Sequence, residues 1–222
     1  MKKHPQFIVA AESLALTATF DLQQGMNRVS LTDFCQNAQS AIAIREREWL
    51  EQDRYYRQLL PYVVVSQQCG DETRYITYRR SKGVGEGRLV GNVSIGFGGH
   101  IDLVDVAFNE NSVIDLYQTI GVAATREIAE ELKFSDDQGE KNFNLFDVGL
   151  IADNSNDVGK VHLGIVLAAM IPEHMTVETR EAELEMLPPM TARELLDSDL
   201  PLENWTRIFL EYVVSQPEVA QC

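Results

Sequence analysis

The sequence predicts a mixed α/β domain over residues 61–222, preceded by an N-terminal helical extension over residues 1–60. Three observations predict it. The chain has 222 residues and is 45% apolar, enough for one substantial core and too apolar for a disordered chain. The hydrophobic period changes at Pro61 from a helical spacing to β-branched runs. Beyond that point strands, one long helix, more strands and closing helices follow in an order unlike repeated βαβ units.

Each element has its own signal. Over 29–59, Phe34, Ala38, Ala41, Ile42, Trp49 and Leu50 recur at helical spacing, with Ser30 or Thr32 as the cap and Asp33 at the positive helix end. The run Tyr62-Val63-Val64-Val65-Ser66 and the segment Thr73 to Arg79, separated by Gly70-Asp71, predict a hairpin. Seven glycines lie in 83–99, around Val93-Ser94-Ile95, where the backbone must turn sharply or come close to something. An apolar stripe of Ile114, Ile120, Ala124, Ile128 and Leu132 predicts a helix over 113–134. Strands are expected over 143–152 and 158–170, split by the turn-forming run Asp153 to Asp157. A last strand over 183–187 and helices over 191–196 and 204–214 complete the chain.

Charge narrows the function. The formal net charge is −15, from 19 basic and 34 acidic side chains. Residues 1–60 carry seven of each sign, so the excess lies in 61–222, with 12 basic and 27 acidic. One basic island interrupts it: Arg74, Arg79, Arg80, Lys82 and Arg88, with Glu86 the lone acid between Arg74 and Arg88. Long nucleic acid is a poor partner for such a chain, because its binding rests on many phosphate contacts. The apolar stretch Val161 to Ile171 is too short to cross a bilayer, and Glu12 interrupts any signal-peptide core, so no membrane association and a cytoplasmic location are expected. Cys35, Cys69 and Cys222 are odd in number and far apart, suggesting neither disulfides nor a zinc site.

The strongest chemical feature is Arg126-Glu127-Ile128-Ala129-Glu130-Glu131-Leu132. On a helix, Glu127, Glu130 and Glu131 stand at i, i+3 and i+4, three carboxylates on one face. Like charges so spaced cost about 0.2–0.5 kcal/mol per pair. Arg126 reaches Glu130 at i+4 and offsets part of this. Clustered carboxylate oxygens suit Mg²⁺ or Mn²⁺; a solvated acidic face is the ordinary alternative. Upstream, Gly96-Phe97-Gly98-Gly99-His100 fits neither a dinucleotide-binding nor a P-loop pattern.

Together these two segments resemble the Nudix hydrolase family, whose box reads G-x₅-E-x₇-R-E-U-x-E-E-x-G-U, with U a bulky apolar residue. Gly99 matches the first glycine, Arg126 to Glu131 matches R-E-U-x-E-E throughout, and Phe134 matches the closing U. The interval from Gly99 to Arg126 is 13 residues longer than the pattern, Lys133 stands for the second glycine, and the first box glutamate falls on Gln118. Glu110 and Asp115 are the candidate substitutes within the insertion. The resemblance covers roughly residues 61–200, to a subgroup with a lengthened box, and implies an α/β/α sandwich with a mixed sheet.

It also implies a metal-dependent hydrolase cleaving the diphosphate of a nucleoside diphosphate linked to another group. Glu127, Glu130, Glu131 and the carbonyl of Gly99 would hold Mg²⁺ (or Mn²⁺), with Arg126 orienting the carboxylates. Arg79, Arg80 and Arg88 are candidate phosphate contacts. The base would come from the box or from Asp153, Asp157, Glu178, Glu181 or Glu183. His162, in an apolar strand, reads as a hydrogen-bonded core histidine, and Tyr75, Tyr78 and Phe97 as packing residues. The alternative function is a Nudix-fold nucleotide-binding regulatory or interaction module without catalysis. The N-terminal helical segment makes a homodimer plausible.

Overall fold

The computed structural model describes residues 5–81, 90–136, 139–140 and 144–216. The chain runs β1 (Phe7–Glu12), α1 (Ser13–Phe20), β2 (Gly25–Asn27), α2 (Leu31–Ala38), β3 (Ile42–Glu46), α3 (Arg47–Leu50) and β4 (Tyr56–Cys69). It continues through β5 (Glu72–Arg80), β6 (Val93–Ser94), β7 (Gly96–Phe97), α4 (Leu116–Glu131), β8 (Leu132–Asp136) and β9 (Gly139–Glu140). The remainder is β10 (Phe146–Ala152), α5 (Asp157–Lys160), β11 (His162–Ile171), β12 (Thr176–Thr179), β13 (Leu184–Met190), α6 (Ala192–Asp197) and α7 (Asn204–Ser215). These strands form a ten-stranded and a three-stranded sheet, so the predicted α/β class is borne out. Among the described residues no helix is long and apolar enough to cross a membrane.

Two compact units divide the chain. The first comprises 1–62, 98–127 and 147–167. In it β1 lies antiparallel between β3 and the start of β4, pairing Val9 with Ile44 and Ala10 with both Ala43 and Gln58. Strand β2 pairs antiparallel with β10. Ile8, Ala10 and Leu50 form a buried cluster against Tyr56, and Phe20 and Phe34 stack at 5.5 Å between ring centres. Ser30 caps α2 as expected, its hydroxyl accepting from Asp33 N at 3.0 Å.

The second unit comprises 63–97, 128–146 and 168–222. The predicted hairpin is present: β4 pairs with β5 from Ser66↔Tyr75 to Cys69↔Glu72, turning at Gly70 with φ +61. Strand β13 pairs with the outer side of β5, and β12, β8 and β9 form the three-stranded sheet. Tyr78 and Phe97 are fully buried with ring centres 4.8 Å apart, and Tyr75 packs edge-on to Phe209, so all three aromatics serve the core.

Two expectations are corrected. The helix read over 29–59 survives only as α2 and the short α3; Ile42–Glu46 is a strand, because its alternating residues pair with β1, and tertiary pairing outweighs local period. The long helix stops at Glu131 rather than Phe134. Lys133 and Phe134 belong to β8, where they pair with Glu178 and Val177 of β12. The strand predicted over 143–152 starts at Phe146, residue 143 lying outside the described residues.

Candidate active site

Helix α4 begins where the Asp115 carboxylate accepts from Gln118 N at 2.9 Å. Asp115 is therefore a helix cap, which relieves one of the unpaired amides of the first turn. Glu110 is exposed on the turn before it.

Another residue of the insertion reaches the arginine of the box. Asp105 ends a short 3₁₀ turn, Leu103–Asp105, and is only 2% exposed. Its two carboxylate oxygens accept from Nε and a terminal nitrogen of Arg126, both at 2.8 Å, and one oxygen also accepts from Asp102 N at 2.8 Å. The other terminal nitrogen of Arg126 donates to Glu127 at 2.8 Å, and a further bond reaches the carbonyl of His100 at 3.1 Å. These bonds, with the Asp105 side chain foremost, hold the Arg126 guanidinium above its ordinary pKa despite partial burial. The arginine of the box is thus a fixed strut between the insertion, the glycine turn and Glu127. Paired forks of this kind fix direction as well as charge.

Gly99 explains why the turn needs glycine. A Cβ built there would lie 2.8 Å from the carboxylate atoms of Glu127, closer than real contacts allow. The Glu127 carboxyl therefore rests directly on the Gly99 backbone, with its side chain 15% exposed.

The helix end carries the other two box acids. Glu130 is exposed and Glu131 is 7% exposed. The Glu131 carbonyl accepts from Arg180 N at 2.8 Å and from the Thr179 hydroxyl at 3.3 Å, while Arg180 Nε donates to Leu132 O at 3.1 Å. Residues 179–180 thereby satisfy the last carbonyl of the helix and the first of β8. Glu181 follows directly. Burial first, then the charges of Glu183 and Glu130, hold its carboxyl above the usual range against the pull of Arg80. Three of the other candidate bases are engaged elsewhere. Asp153 is buried and accepts from Gln24, Ser155 N and Asn156. Asp157 pairs with Arg54 and Lys160, and Glu178 with Lys133.

Among the basic candidates, Arg80 donates to Glu203 at 2.8 Å and to the Tyr78 hydroxyl at 3.0 Å. Burial works against its charge, but Tyr78, Glu203 and Glu131 together hold its pKa above the ordinary value. Arg79 instead pairs with Glu185 at 3.5 Å, on the other face of the strand. Arg88 lies outside the described residues. His162 is 5% exposed and donates from Nδ1 to Val158 O at 2.7 Å, the core role expected of it.

This architecture defines a protein of the Nudix fold. It matches over 94% of this chain the crystal structure of Tm1382, whose description assigns it provisionally to the Nudix hydrolases; the match covers 98% of that chain, with a TM-score of 0.70 and 24% identity. The Nudix hydrolase from Alicyclobacillus acidocaldarius matches 74% of this chain and 95% of its own, with 19% identity and a TM-score of 0.49. No family model matches the chain. The resemblance read from the box is borne out, and the chain has the Nudix fold. It belongs to the family of Protein YmaB of Bacillus subtilis (strain 168), with which it is 33% identical over 178 residues, 78% of this chain and 80% of that protein.

Proposed function

We propose that the chain is a Mg²⁺- or Mn²⁺-dependent hydrolase that cleaves the diphosphate linkage of a nucleoside diphosphate joined to another group. The observation that carries the reading is the Glu127 carboxyl seated on the Gly99 backbone and tied to Arg126, which is itself fixed by Asp105. That arrangement commits several residues to holding one acid in place, which a merely solvated helix face does not require.

The donor set fits a hard divalent cation. Glu127, Glu130 and Glu131 supply carboxylate oxygens at i, i+3 and i+4 of α4, and Gly99 leaves space where a side chain would intrude. A cation held by these residues would supply charge neutralisation for the phosphates and activation of a water. Arg126 positions Glu127 and does not itself need to touch substrate. Arg80 lies in the field of Glu131, whose charge helps to hold the guanidinium in its charged form. Glu181 stands within the field of Glu130 and is the loop acid best placed to handle a proton there. An acidic chain repels a nucleotide, so cations are required for binding as well as for chemistry.

The test is release of nucleoside monophosphate from a panel of nucleotide sugars, dinucleotides and nucleoside triphosphates, with Mg²⁺ or Mn²⁺. Metal-dependent release from a diphosphate-linked substrate supports the reading. Tight binding of one member without turnover would favour a regulatory module instead.

A further inference from the structure

A second set of metal-ligating side chains lies in the first unit, and the diphosphate reading makes no use of it. Glu51 follows α3, His100 follows Gly99, and His162 opens β11. One donor atom from each lies within 4.8 Å of the other two. The imidazole rings stand edge to face with centres 5.8 Å apart.

The proton positions follow from the hydrogen bonds. His162 Nδ1 is 2.7 Å from the Val158 carbonyl, which only accepts, so the proton is on Nδ1 and the lone pair on Nε2. His100 Nε2 is 2.8 Å from Gln58 Oε1, so that nitrogen donates and Nδ1 carries the lone pair. Each ring therefore donates one N–H outward to an oxygen, as metal-bound histidines do, which fixes the ring and raises the basicity of the other nitrogen. Gln58 is fully buried, and its amide nitrogen has no hydrogen-bond partner among the described residues. Burying an amide for a single hydrogen bond is costly unless the bond it makes is needed.

We propose that Glu51, His100 and His162 bind a divalent transition-metal ion of the Zn²⁺ class at a site distinct from the carboxylates of α4. Two imidazole nitrogens and one carboxylate oxygen form a donor set that Zn²⁺ and its neighbours prefer and Mg²⁺ does not. Metal–ligand bonds of about 2.0–2.1 Å put tetrahedral donors roughly 3.4 Å apart. The side chain of Glu51 is 36% exposed and free to rotate towards the two imidazoles. Its Oε1 pairs with Arg47 at 3.3 Å, leaving Oε2 for the metal. Arg47 opposes a cation here, and its own side chain is exposed enough to turn outward. The ion would bind together the end of α3, the glycine turn and β11. The His100 carbonyl accepts from Arg126, so occupancy would also stiffen the turn on which Glu127 rests.

The test uses the untagged full chain with a large excess of Mg²⁺, which saturates oxygen-only sites. Co²⁺ is then titrated in and followed by its visible absorption, with displacement by Zn²⁺. One Co²⁺ per chain is expected, with the spectrum of mixed nitrogen and oxygen ligation. Glu51→Gln and His100→Gln should each weaken binding about tenfold or more. Glu130→Gln should leave Co²⁺ affinity unchanged, which separates this site from the proposed diphosphate chemistry. Zn²⁺ should raise the Tm of the wild type and fail to raise that of Glu51→Gln, whose exposed side chain leaves the fold intact. No Co²⁺ uptake over Mg²⁺, equal uptake by both variants, or uptake lost in Glu130→Gln would overturn the proposal.

Discussion

Asp105→Asn removes the charge that fixes Arg126 while keeping the shape of the side chain. In the wild type, two bonds of 2.8 Å join the carboxylate to the guanidinium, and a third of 2.8 Å comes from Asp102 N. The carboxylate is 2% exposed and the arginine side chain 24%. Breaking a fully buried pair by removing one partner costs about 3–5 kcal/mol. Arg126 is partly solvated and keeps its bonds to Glu127 and the His100 carbonyl, so the expected loss is lower, about 2–4 kcal/mol. At about 2–4 °C per kcal/mol for a chain of this size, Tm should fall by roughly 5–15 °C. Urea unfolding of wild type, Asp105→Asn, Arg126→Gln and the double variant would isolate the pair, with an expected coupling of at least about 1 kcal/mol. Additive effects, or a loss in Asp105→Asn below about 0.5 kcal/mol, would refute the claim that Asp105 anchors the box arginine.

Two further outcomes follow from the packing and the burial. Gly99→Ala places a methyl group 2.8 Å from the Glu127 carboxylate; it should cost about 1–3 kcal/mol as an overpacking change and weaken Mn²⁺ binding measured by water-proton relaxation, whereas unchanged binding would remove Glu127 from the ligand set. Burial, then the charge of Asp115, pushes the Cys35 thiol up to about 12 from an ordinary 9.0. Cys35 should therefore resist a thiol reagent at pH 8 until the chain is unfolded, as read by mass spectrometry of the labelled peptide. Because the folded pKa is raised, the associated stability is complete below the unfolded value and is lost as pH rises from about 9 towards 12. Rapid labelling of Cys35 in the native protein would contradict both statements.

Much of this was legible in the sequence, for identifiable reasons. The hairpin over β4 and β5 was readable because β-branched runs flank a Gly-Asp turn, and the box helix because its apolar stripe and charges keep the helical period. Ile42–Glu46 was not, since Ala43 and Ile44 suit a helix equally well and only pairing with β1 decides. Lys133 reads as a broken motif, yet it sits in an extended strand without positive φ, where no glycine is needed, and pairs with Glu178. Arg126 and Glu127 are marked by the box itself, whereas their anchor Asp105 lies in the insertion, outside any register the pattern supplies. Its only local signal is the Asp102-to-Asp105 capping spacing of a short turn, which says nothing about Arg126. The grouping of Glu51, His100 and His162 has no sequence signal at all, because the three lie on distant segments.

The carboxylates of α4 are proposed to serve a metal-dependent cleavage of a diphosphate. The most direct measurement compares wild type with Glu130→Gln, an exposed position whose change leaves the core untouched. Both are assayed for Mg²⁺-dependent monophosphate release on the best substrate of the panel, with Tm as the control for folding. Turnover is expected in the wild type, abolished by chelation and reduced at least about a hundredfold in Glu130→Gln, at equal Tm. Equal turnover in the two proteins, or turnover that survives removal of divalent cations, would contradict that role.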